Sequence, residues 1–205
     1  MKRSDLLVLC DLGGVLIDLN WRERARALFG KNLDVEVLKT RWLNLTSTRA
    51  FEAGMIDFAT FYRDFINETG SSLTLDAFKC EFAGILGPLK PDCMSILAEL
   101  KAAYALAMLS NTNHLHVEML KKSSEVFAPF DYLFLSYEMG MVKPDLEIYA
   151  EVCARAGRSA NKIFFFDDSA VNVAAAKVVG MHAYRVESPL EISKIMKAEM
   201  AAGVL

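Results

Sequence analysis

The chain has 205 residues, of which 53% are hydrophobic and 24% are charged. This composition can bury a core, and it excludes an intrinsically disordered or collagen-like chain. The formal net charge of −3 disfavours a nucleic-acid partner, because nucleic-acid binding needs concentrated positive charge. Apolar runs such as Leu6–Cys10 are far shorter than the roughly 18 residues of a membrane span, so we expect no membrane partner either.

The cysteines are scattered along the chain and form no C-x-x-C pair: Cys10, Cys80, Cys93 and Cys153. This spacing favours buried free thiols in a reducing compartment over a disulfide or zinc framework. The first apolar run is also too short for a signal peptide. We therefore expect a cytoplasmic protein, and the sequence leaves its oligomeric state open between a monomer and a homodimer.

Short apolar runs rich in β-forming residues predict the strands, which are Leu6–Cys10, Ala105–Leu109, Tyr132–Leu135, Ile163–Phe166 and His182–Val186. Helical stretches lie between the later runs, at Asp92–Ala103, His114–Ser123, Leu146–Ala156 and Val171–Val179, and Leu190–Leu205 reads as a closing helix. Strands that alternate with helices indicate an α/β fold, a Rossmann-like parallel sheet with helices on both faces.

No strand-like run occurs between the first and second of these strands. Amphipathic helices are predicted there instead, at Trp21–Phe29, Asp34–Leu45, Asp57–Thr69 and Leu75–Ile85. A simple connection between a strand and a helix needs only a few residues, so this segment is a module of its own. We predict a small all-helical cap of residues 18–90, inserted after the first strand of an α/β core formed by residues 1–17 and 91–205.

A polar cluster follows each of the first four strands, directly or after a short interval. The clusters are Asp11–Gly14, Ser110–Asn113, Gly140–Pro144 and Asp167–Ser169. The carboxyl ends of parallel strands meet at one edge of a sheet, where ligands bind. We therefore expect the four clusters to form one site.

The acidic and basic residues of these clusters suit phosphate chemistry. The carboxylate of Asp11, directly after a strand, can act as a nucleophile and form an aspartyl-phosphate. Together with Asp167 and Asp168 it can hold Mg²⁺, which takes carboxylate, water and phosphate oxygens. Lys143 can neutralise the remaining negative charge. We predict Asp11, Ser110 and Lys143 as catalytic residues.

The uncharged residues of the clusters suit phosphate binding. The hydroxyl of Ser110 and the backbone N–H groups after it, beginning with Asn111, can hold phosphate oxygens. The Gly13-Gly14 pair allows a sharp turn and lets a ligand approach the backbone closely. We predict Ser110, Asn111, Gly14 and Lys143 as residues that bind the substrate.

The four clusters resemble the four motifs of the haloacid-dehalogenase superfamily, whose members are mostly phosphatases. The resemblance covers the whole chain, including the helical cap. The longer strings 109–113, 140–144 and 166–168 resemble the branch that includes a bacterial α-glucose-1-phosphate phosphatase and the N-terminal phosphatase domain of soluble epoxide hydrolase. This resemblance implies a Mg²⁺-dependent phosphatase of small phosphate esters, with sugar phosphates such as glucose-1-phosphate foremost.

The resemblance also implies a role for each matching position. Asp11 corresponds to the nucleophile, Ser110 to the phosphate-binding hydroxyl and Lys143 to the charge-neutralising lysine. Asp168 corresponds to a direct Mg²⁺ ligand, and Asp167 lies beside it and binds the metal through water.

Gly13 departs from the family pattern, because most of these phosphatases have there a second Asp that acts as general acid and base. The resemblance implies that the residue at this position offers its backbone carbonyl to the metal, which Gly13 still has. Without the acid, departure of a simple alkoxide should be slow, since general acid–base catalysis contributes about 10²–10⁴-fold. We therefore expect better leaving groups to be preferred, with glucose-1-phosphate hydrolysed faster than glucose-6-phosphate, unless Asp18 or a cap residue replaces the acid.

Two other functions stay open at this stage. A 2-haloacid dehalogenase would use Asp11 to attack carbon, but it needs no metal and would leave Asp167 and Asp168 without a role. A phosphate-binding or regulatory module with weakened catalysis is suggested by Gly13. The joint retention of Asp11, Ser110, Lys143 and Asp168 disfavours that second reading.

Overall fold

A computed structural model describes residues 5–30 and 34–201 of the chain. Its strands are β1 (Leu7–Cys10), β2 (Ile17–Leu19), β3 (Leu86–Leu89), β4 (Ala105–Ser110), β5 (Tyr132–Leu135), β6 (Ile163–Asp167) and β7 (His182–Arg185). Five of them form a parallel sheet in the order β5-β4-β1-β6-β7. The five strands predicted from the sequence are thereby confirmed.

The helices before β3 are α1 (Trp21–Phe29), α2 (Val35–Asn44), α3 (Thr46–Glu52), α4 (Phe58–Thr69) and α5 (Leu75–Ala83). Those after it are α6 (Cys93–Ala103), α7 (His114–Ser123), α8 (Ser136–Met139), α9 (Leu146–Ala156), α10 (Ala170–Val179) and α11 (Pro189–Ala201). The predicted helices are present. Two further helices, α3 and α8, were not predicted. The last residues of the predicted closing helix Leu190–Leu205 lie outside the described residues.

The prediction that residues 18–90 contain no strand is wrong at both ends of that segment. Strands β2 and β3 pair there in antiparallel fashion, with Ile17 opposite Leu89 and Leu19 opposite Leu86. The pair Gly87-Pro88 reads as a turn in the sequence, yet it lies within β3. Both strands of a two-stranded ribbon are edge strands, which tolerate proline. The division into residues 18–90 and the remainder stays a prediction.

Alternate residues of the central strands face opposite sides of the sheet, as the geometry of a strand requires. Val8 and Cys10 pack in one apolar cluster with side chains of α6, α7 and α11. Leu7 and Leu9 pack in a second cluster with side chains of α9 and α10. The predicted arrangement with helices on both faces is thus confirmed, and the sheet edge that carries the polar clusters is held rigidly.

A third apolar cluster lies in α1–α5 and consists largely of aromatic rings. Phe61 and Phe65, which lie one turn apart on α4, are fully buried. The ring of Phe61 stacks on that of Phe51 with 4.4 Å between centroids, and Phe82 extends the cluster towards α7. We refer to this helical segment as the cap.

The cap contacts the core through His116 of α7. The ring of Phe82 stacks on the His116 ring with 4.4 Å between centroids. Nε2 of His116 lies 3.0 Å from the carbonyl oxygen of Phe82, and Nδ1 lies 3.2 Å from Nδ2 of Asn113. A neutral imidazole that donates from Nε2 and accepts at Nδ1 satisfies both contacts.

The structure shows the state of the cysteines and the length of the helices. All four cysteines are free. The expectation that they are buried is confirmed for Cys10 and Cys93, but it is wrong for Cys80, which is exposed on α5, and for Cys153, which is half-buried. In the described ranges, no helix has both the length and the apolar character needed to cross a membrane.

The pH dependence of stability should report on the His116 junction. Burial lowers the pKa of His116 from 6.5 to about 4. Between these values the unfolded chain binds a proton that the native protein does not, so the free energy of unfolding falls as the pH decreases, by about 3 kcal/mol for this group. Chemical denaturation of wild type and His116→Gln between about pH 7 and pH 4 should show this loss in wild type alone. Equal pH dependence in both proteins would contradict the assignment.

Candidate active site

The predicted clusters meet at the carboxyl edge of the parallel sheet. Asp11 directly follows β1, Ser110 ends β4, and Asp167 ends β6. Lys143 lies in the loop between α8 and α9. All four side chains are buried, with exposed fractions of 7%, 3%, 0% and 4% respectively. The sheet therefore assembles the site as the sequence analysis expected.

The ammonium group of Lys143 lies between two of the carboxylates. Its Nζ atom is 2.8 Å from Oδ1 of Asp11 and 2.7 Å from Oδ2 of Asp167. It also donates a hydrogen bond of 3.1 Å to the carbonyl oxygen of Leu109. Lys143 thus has three acceptors, which match the three donors of an ammonium group.

Asp167 is held by donors on both carboxylate oxygens. The backbone N–H of Ser169 donates to Oδ1 over 2.8 Å. Nδ2 of Asn172, in the first turn of α10, lies 3.0 Å from Oδ1 and 3.1 Å from Oδ2. With Lys143 on Oδ2 as well, the Asp167 side chain is fully buried and held on both carboxylate oxygens.

The charges of the site shift the pKa values of its members. Burial alone would lower the pKa of Lys143, but Asp11 and Asp167 outweigh it and raise the pKa above its ordinary value. Burial raises the pKa of Asp11 although the charge of Lys143 opposes it. Burial also raises the pKa of Asp168. The lysine therefore stays charged at neutral pH.

The three carboxylates can hold a metal ion. Asp11, Asp167 and Asp168 offer oxygen atoms that all lie within 4.8 Å of one another. Three carboxylates and one ammonium group leave two negative charges, which one divalent cation neutralises. Hard oxygen donors of this kind suit Mg²⁺, so the residues present fit the predicted metal.

Gly14 holds the turn against Asp168. Its φ angle is +79°, in the region that favours glycine. A Cβ atom at this position would lie 2.8 Å from Oδ2 of Asp168. The turn is closed by a hydrogen bond of 2.9 Å from the Gly14 N–H to the carbonyl oxygen of Ile17. The backbone of Gly14 therefore lies close to the Asp168 carboxylate, and its role in substrate binding stays a prediction.

The side chain of Asn111 positions Lys143. Nδ2 of Asn111 donates to the carbonyl oxygen of Lys143 over 3.0 Å, and Oδ1 accepts from the Lys143 N–H over 2.8 Å. This pair of bonds engages both ends of the amide and ties it to the Lys143 backbone, and the backbone N–H of Asn111 is the group predicted to bind a ligand. Nearby, the Ser110 hydroxyl has only a weak contact, 3.5 Å from the carbonyl oxygen of Asn111, and can turn to a ligand.

No acid stands beside Asp11 at the usual position. The space next to Gly13 is taken by Leu19, whose Cδ1 atom would lie 3.1 Å from a Cβ on Gly13. Asp18, considered as a substitute, is exposed on β2 and its Oδ1 pairs with Nζ of Lys90 at 3.2 Å. That side chain is therefore committed to another partner.

Three residues near the site were missed by the sequence analysis. Asn172 could have been found, because an amide in the first turn of the helix after Asp167 can reach back to that carboxylate. No pattern in the sequence indicated Lys39 of α2 or Glu52 of α3. Nζ of Lys39 lies 3.7 Å from Oδ2 of Asp168. Both residues come from the cap, and only tertiary packing brings them to the core.

Substitution of Gly14 should disturb the carboxylate cluster. Gly14→Ala and Gly140→Ala both place a side chain at positive φ, +79° and +70°, which costs about 1–2 kcal/mol. Only at Gly14 does the new Cβ meet a neighbour, since none lies within 4 Å of Gly140. Gly14→Ala should therefore lose about 1–3 kcal/mol more of its free energy of unfolding.

Denaturation of the two variants, with a crystal structure of Gly14→Ala, tests this expectation. The structure should show the Asp168 carboxylate displaced. Equal stability losses with Asp168 in place would refute the close packing.

Two similar proteins of known activity are phosphatases. A sesquiterpene phosphatase from Aspergillus oryzae is 32% identical over 174 residues, which cover 83% of this chain and 84% of the relative. A D-ribitol-5-phosphate phosphatase from Bacteroides thetaiotaomicron is 23% identical over 188 residues, which cover 88% of this chain and 91% of the relative. Both alignments span the cap as well as the core.

A solved structure and a family model agree with these relatives. A HAD family enzyme from Bacteroides thetaiotaomicron, crystallised with magnesium and inorganic phosphate, aligns with a TM-score of 0.73 at 30% identity, over 89% of this chain and 94% of that one. The family model of haloacid dehalogenase-like hydrolases matches residues 6–180. The predicted family is confirmed: this chain belongs to the haloacid dehalogenase-like hydrolases.

Proposed function

We propose that the protein is a Mg²⁺-dependent phosphatase that hydrolyses small phosphomonoesters through an aspartyl-phosphate on Asp11. The observation that carries the proposal is the cluster of Asp11, Asp167 and Asp168, whose oxygen atoms lie within 4.8 Å of one another beside the ammonium group of Lys143. This arrangement suits a metal and a phosphate dianion together. The phosphatase activity of both relatives supports it.

The metal would be held by Asp11, Asp168 and the backbone carbonyl of Gly13, with Asp167 bound through water. A bound Mg²⁺ neutralises phosphate oxygens and so allows an anionic nucleophile to approach phosphorus. The magnesium and phosphate in the related crystal structure support this choice of ion. The charge of Lys143 opposes protonation of Asp11 and adds positive charge where the phosphate would lie.

Each remaining residue has a part in the transfer. The Asp11 carboxylate attacks phosphorus, and the bond from phosphorus to the leaving oxygen breaks. The Ser110 hydroxyl, with the backbone N–H group of Asn111, would bind the other phosphate oxygens and stabilise the charge that develops there. The N–H of Gly14 already donates to the carbonyl oxygen of Ile17, so Gly14 would contribute only the close approach of its backbone. Water then hydrolyses the aspartyl-phosphate and releases inorganic phosphate.

The substrate is proposed at the level of its leaving group. Gly13 carries no acid, which favours leaving groups better than a simple alkoxide, and a sugar phosphate such as glucose-1-phosphate fits this requirement. The proposed division, with residues 18–90 as a cap over residues 1–17 and 91–205, lets the cap cover the leaving group and exclude water. The free cysteines support a reducing location such as the cytoplasm.

The two alternatives are less well supported. A dehalogenase would gain nothing from Asp167 and Asp168 as a pair, yet Asp167 is held by Lys143, Ser169 and Asn172. A module that only binds phosphate would not need the Asp11 carboxylate ion-paired with Lys143. The ordered network around both carboxylates favours catalysis.

Hydrolysis of p-nitrophenyl phosphate should depend on both the metal and Asp11. This substrate has a good leaving group, so the missing acid at Gly13 should matter little. We expect turnover with Mg²⁺, its loss in EDTA, and its recovery on addition of excess Mg²⁺. Asp11→Asn should lower kcat by at least about 1,000-fold, because the amide is a poor nucleophile.

Asp76→Asn is the matched control, since it makes the same change on the exposed first turn of α5; its activity should equal that of wild type. Absence of turnover in a folded wild-type protein that binds Mg²⁺ would overturn the proposed function in favour of the binding module.

A further inference from the structure

Helix α3 is one of the cap elements that contact the catalytic edge of the core. Arg49 forms an ion pair with Asp145, two residues beyond Lys143. The ring of Phe51 contacts the His114 ring with 5.8 Å between centroids. At Gly54, just after the helix, a Cβ atom would overlap the carbonyl oxygen of Tyr137 in α8. Contacts on both sides of residue 52 therefore hold this segment against the core.

Glu52 lies between these contacts. It is partly buried, and Nε1 of Trp42 donates a hydrogen bond of 3.4 Å to its Oε1. Within residues 5–30 and 34–201, no salt bridge engages its carboxylate. A carboxyl group with one long hydrogen bond and no ion pair is free to exchange a proton with a ligand.

The charges that act on Glu52 connect it to the site. Burial raises its pKa to about 7, while Lys143 of the core and Arg49 of its own helix act in the opposite direction. Among the described residues of α2, only the neutral indole of Trp42 acts on the Glu52 carboxyl group. No charged group of α4 or α8 acts on Glu52 among the described residues. The carboxyl group is thus influenced by the catalytic lysine, and it can be protonated at neutral pH.

Among the described residues of the core, no unpaired acid lies beside Asp11 for the leaving group. Gly13 has no side chain, and Leu19 lies beside it. Asp18 is paired with Lys90, and Asp167 is occupied by donors on both oxygens. Any proton for the leaving oxygen must therefore come from water or from the cap.

We infer that Glu52 is the general acid and base of the reaction, supplied by the cap in place of the side chain that Gly13 lacks. This inference rests on the proposed function. Arg49 and Phe51 of α3 and the turn at Gly54 hold the segment around Glu52 against the loop and helices that flank Lys143, and the hydrogen bond from Trp42 orients its carboxyl group.

The proton balance of both steps is simple. As Asp11 attacks phosphorus and the bond to the leaving oxygen breaks, the Glu52 carboxylic acid gives its proton to that oxygen and an alcohol departs. The Glu52 carboxylate then takes a proton from the water that attacks the aspartyl-phosphate. The phosphorus–oxygen bond to Asp11 breaks, inorganic phosphate leaves, and both side chains return to their starting states.

The inference changes the expected substrate range. The preference for good leaving groups that Gly13 alone predicts should be small in wild type, because Glu52 assists poor leaving groups. It should appear in full when Glu52 cannot donate a proton. Two aryl phosphates of nearly equal shape test this: p-nitrophenyl phosphate, and phenyl phosphate, whose leaving phenol has a pKa of about 10, like tyrosine.

Glu52→Gln should therefore discriminate between these two substrates. We expect kcat/KM to fall about 100-fold for phenyl phosphate and less than about fivefold for p-nitrophenyl phosphate, within the usual range for loss of a general acid. Glutamine can still accept the hydrogen bond from Trp42, so the fold should be kept. Glu52→Asp should restore part of the lost activity on phenyl phosphate.

The pH profile gives an independent readout. In wild type, kcat/KM for phenyl phosphate should fall as the pH rises above about 7, because a decreasing fraction of Glu52 is protonated. This fall should be absent in Glu52→Gln. Asp11 cannot produce it, since its attack needs the ionised form and so strengthens with rising pH, and Lys143 stays protonated throughout.

Glu36→Gln, on the exposed face of α2, is the matched control and should behave as wild type. Equal losses on both substrates, or a pH profile unchanged in Glu52→Gln, would overturn the inference while wild-type and Asp11→Asn activities still support the phosphatase. Absence of metal-dependent turnover in wild type would overturn both proposals.

Discussion

The contact of Lys143 with two buried carboxylates is the interaction on which the rest of the site depends. Its ammonium group binds Asp11, Asp167 and the carbonyl oxygen of Leu109. These partners lie at the carboxyl ends of β1, β6 and β4, which are the three adjacent central strands of the sheet. Two carboxylates at neighbouring strand ends would repel each other without the lysine, because burial removes the screening by water. One side chain therefore makes a nucleophile and a metal ligand compatible with a close-packed sheet.

The loop that carries Lys143 also connects the core to the cap. Asn111 fixes the backbone of Lys143 on one side, and Asp145 binds Arg49 of the cap on the other. The same loop thus holds Lys143 in the site and provides the contact on which α3 docks. If Glu52 supplies the acid, the core holds the nucleophile and the cap holds the proton donor, so the complete machinery exists only when the cap is docked and water is excluded.

Much of this architecture is local in origin and was predictable from the sequence. Each central strand is a short apolar run that ends in a polar residue, as at Asp11 and Asp167, and the parallel arrangement brings such ends to one edge. The helices of the cap follow the spacing of their aromatic residues. The ribbon of β2 and β3 was missed because Gly87-Pro88 is typical of turns, and its strands are too short to show an alternating pattern.

The sheet and the family could be predicted from the sequence alone, and so could most core residues at the carboxyl edge, because periodicity and strand-end clusters depend on near neighbours in the chain. The cap residues that meet this edge are brought there by tertiary packing. The contact of Lys39 with Asp168 and the docking of Arg49 on Asp145 join residues far apart in sequence. The surroundings of Glu52 arise in the same way. Such placements depend on how five helices pack around one aromatic cluster, and no local pattern records that packing.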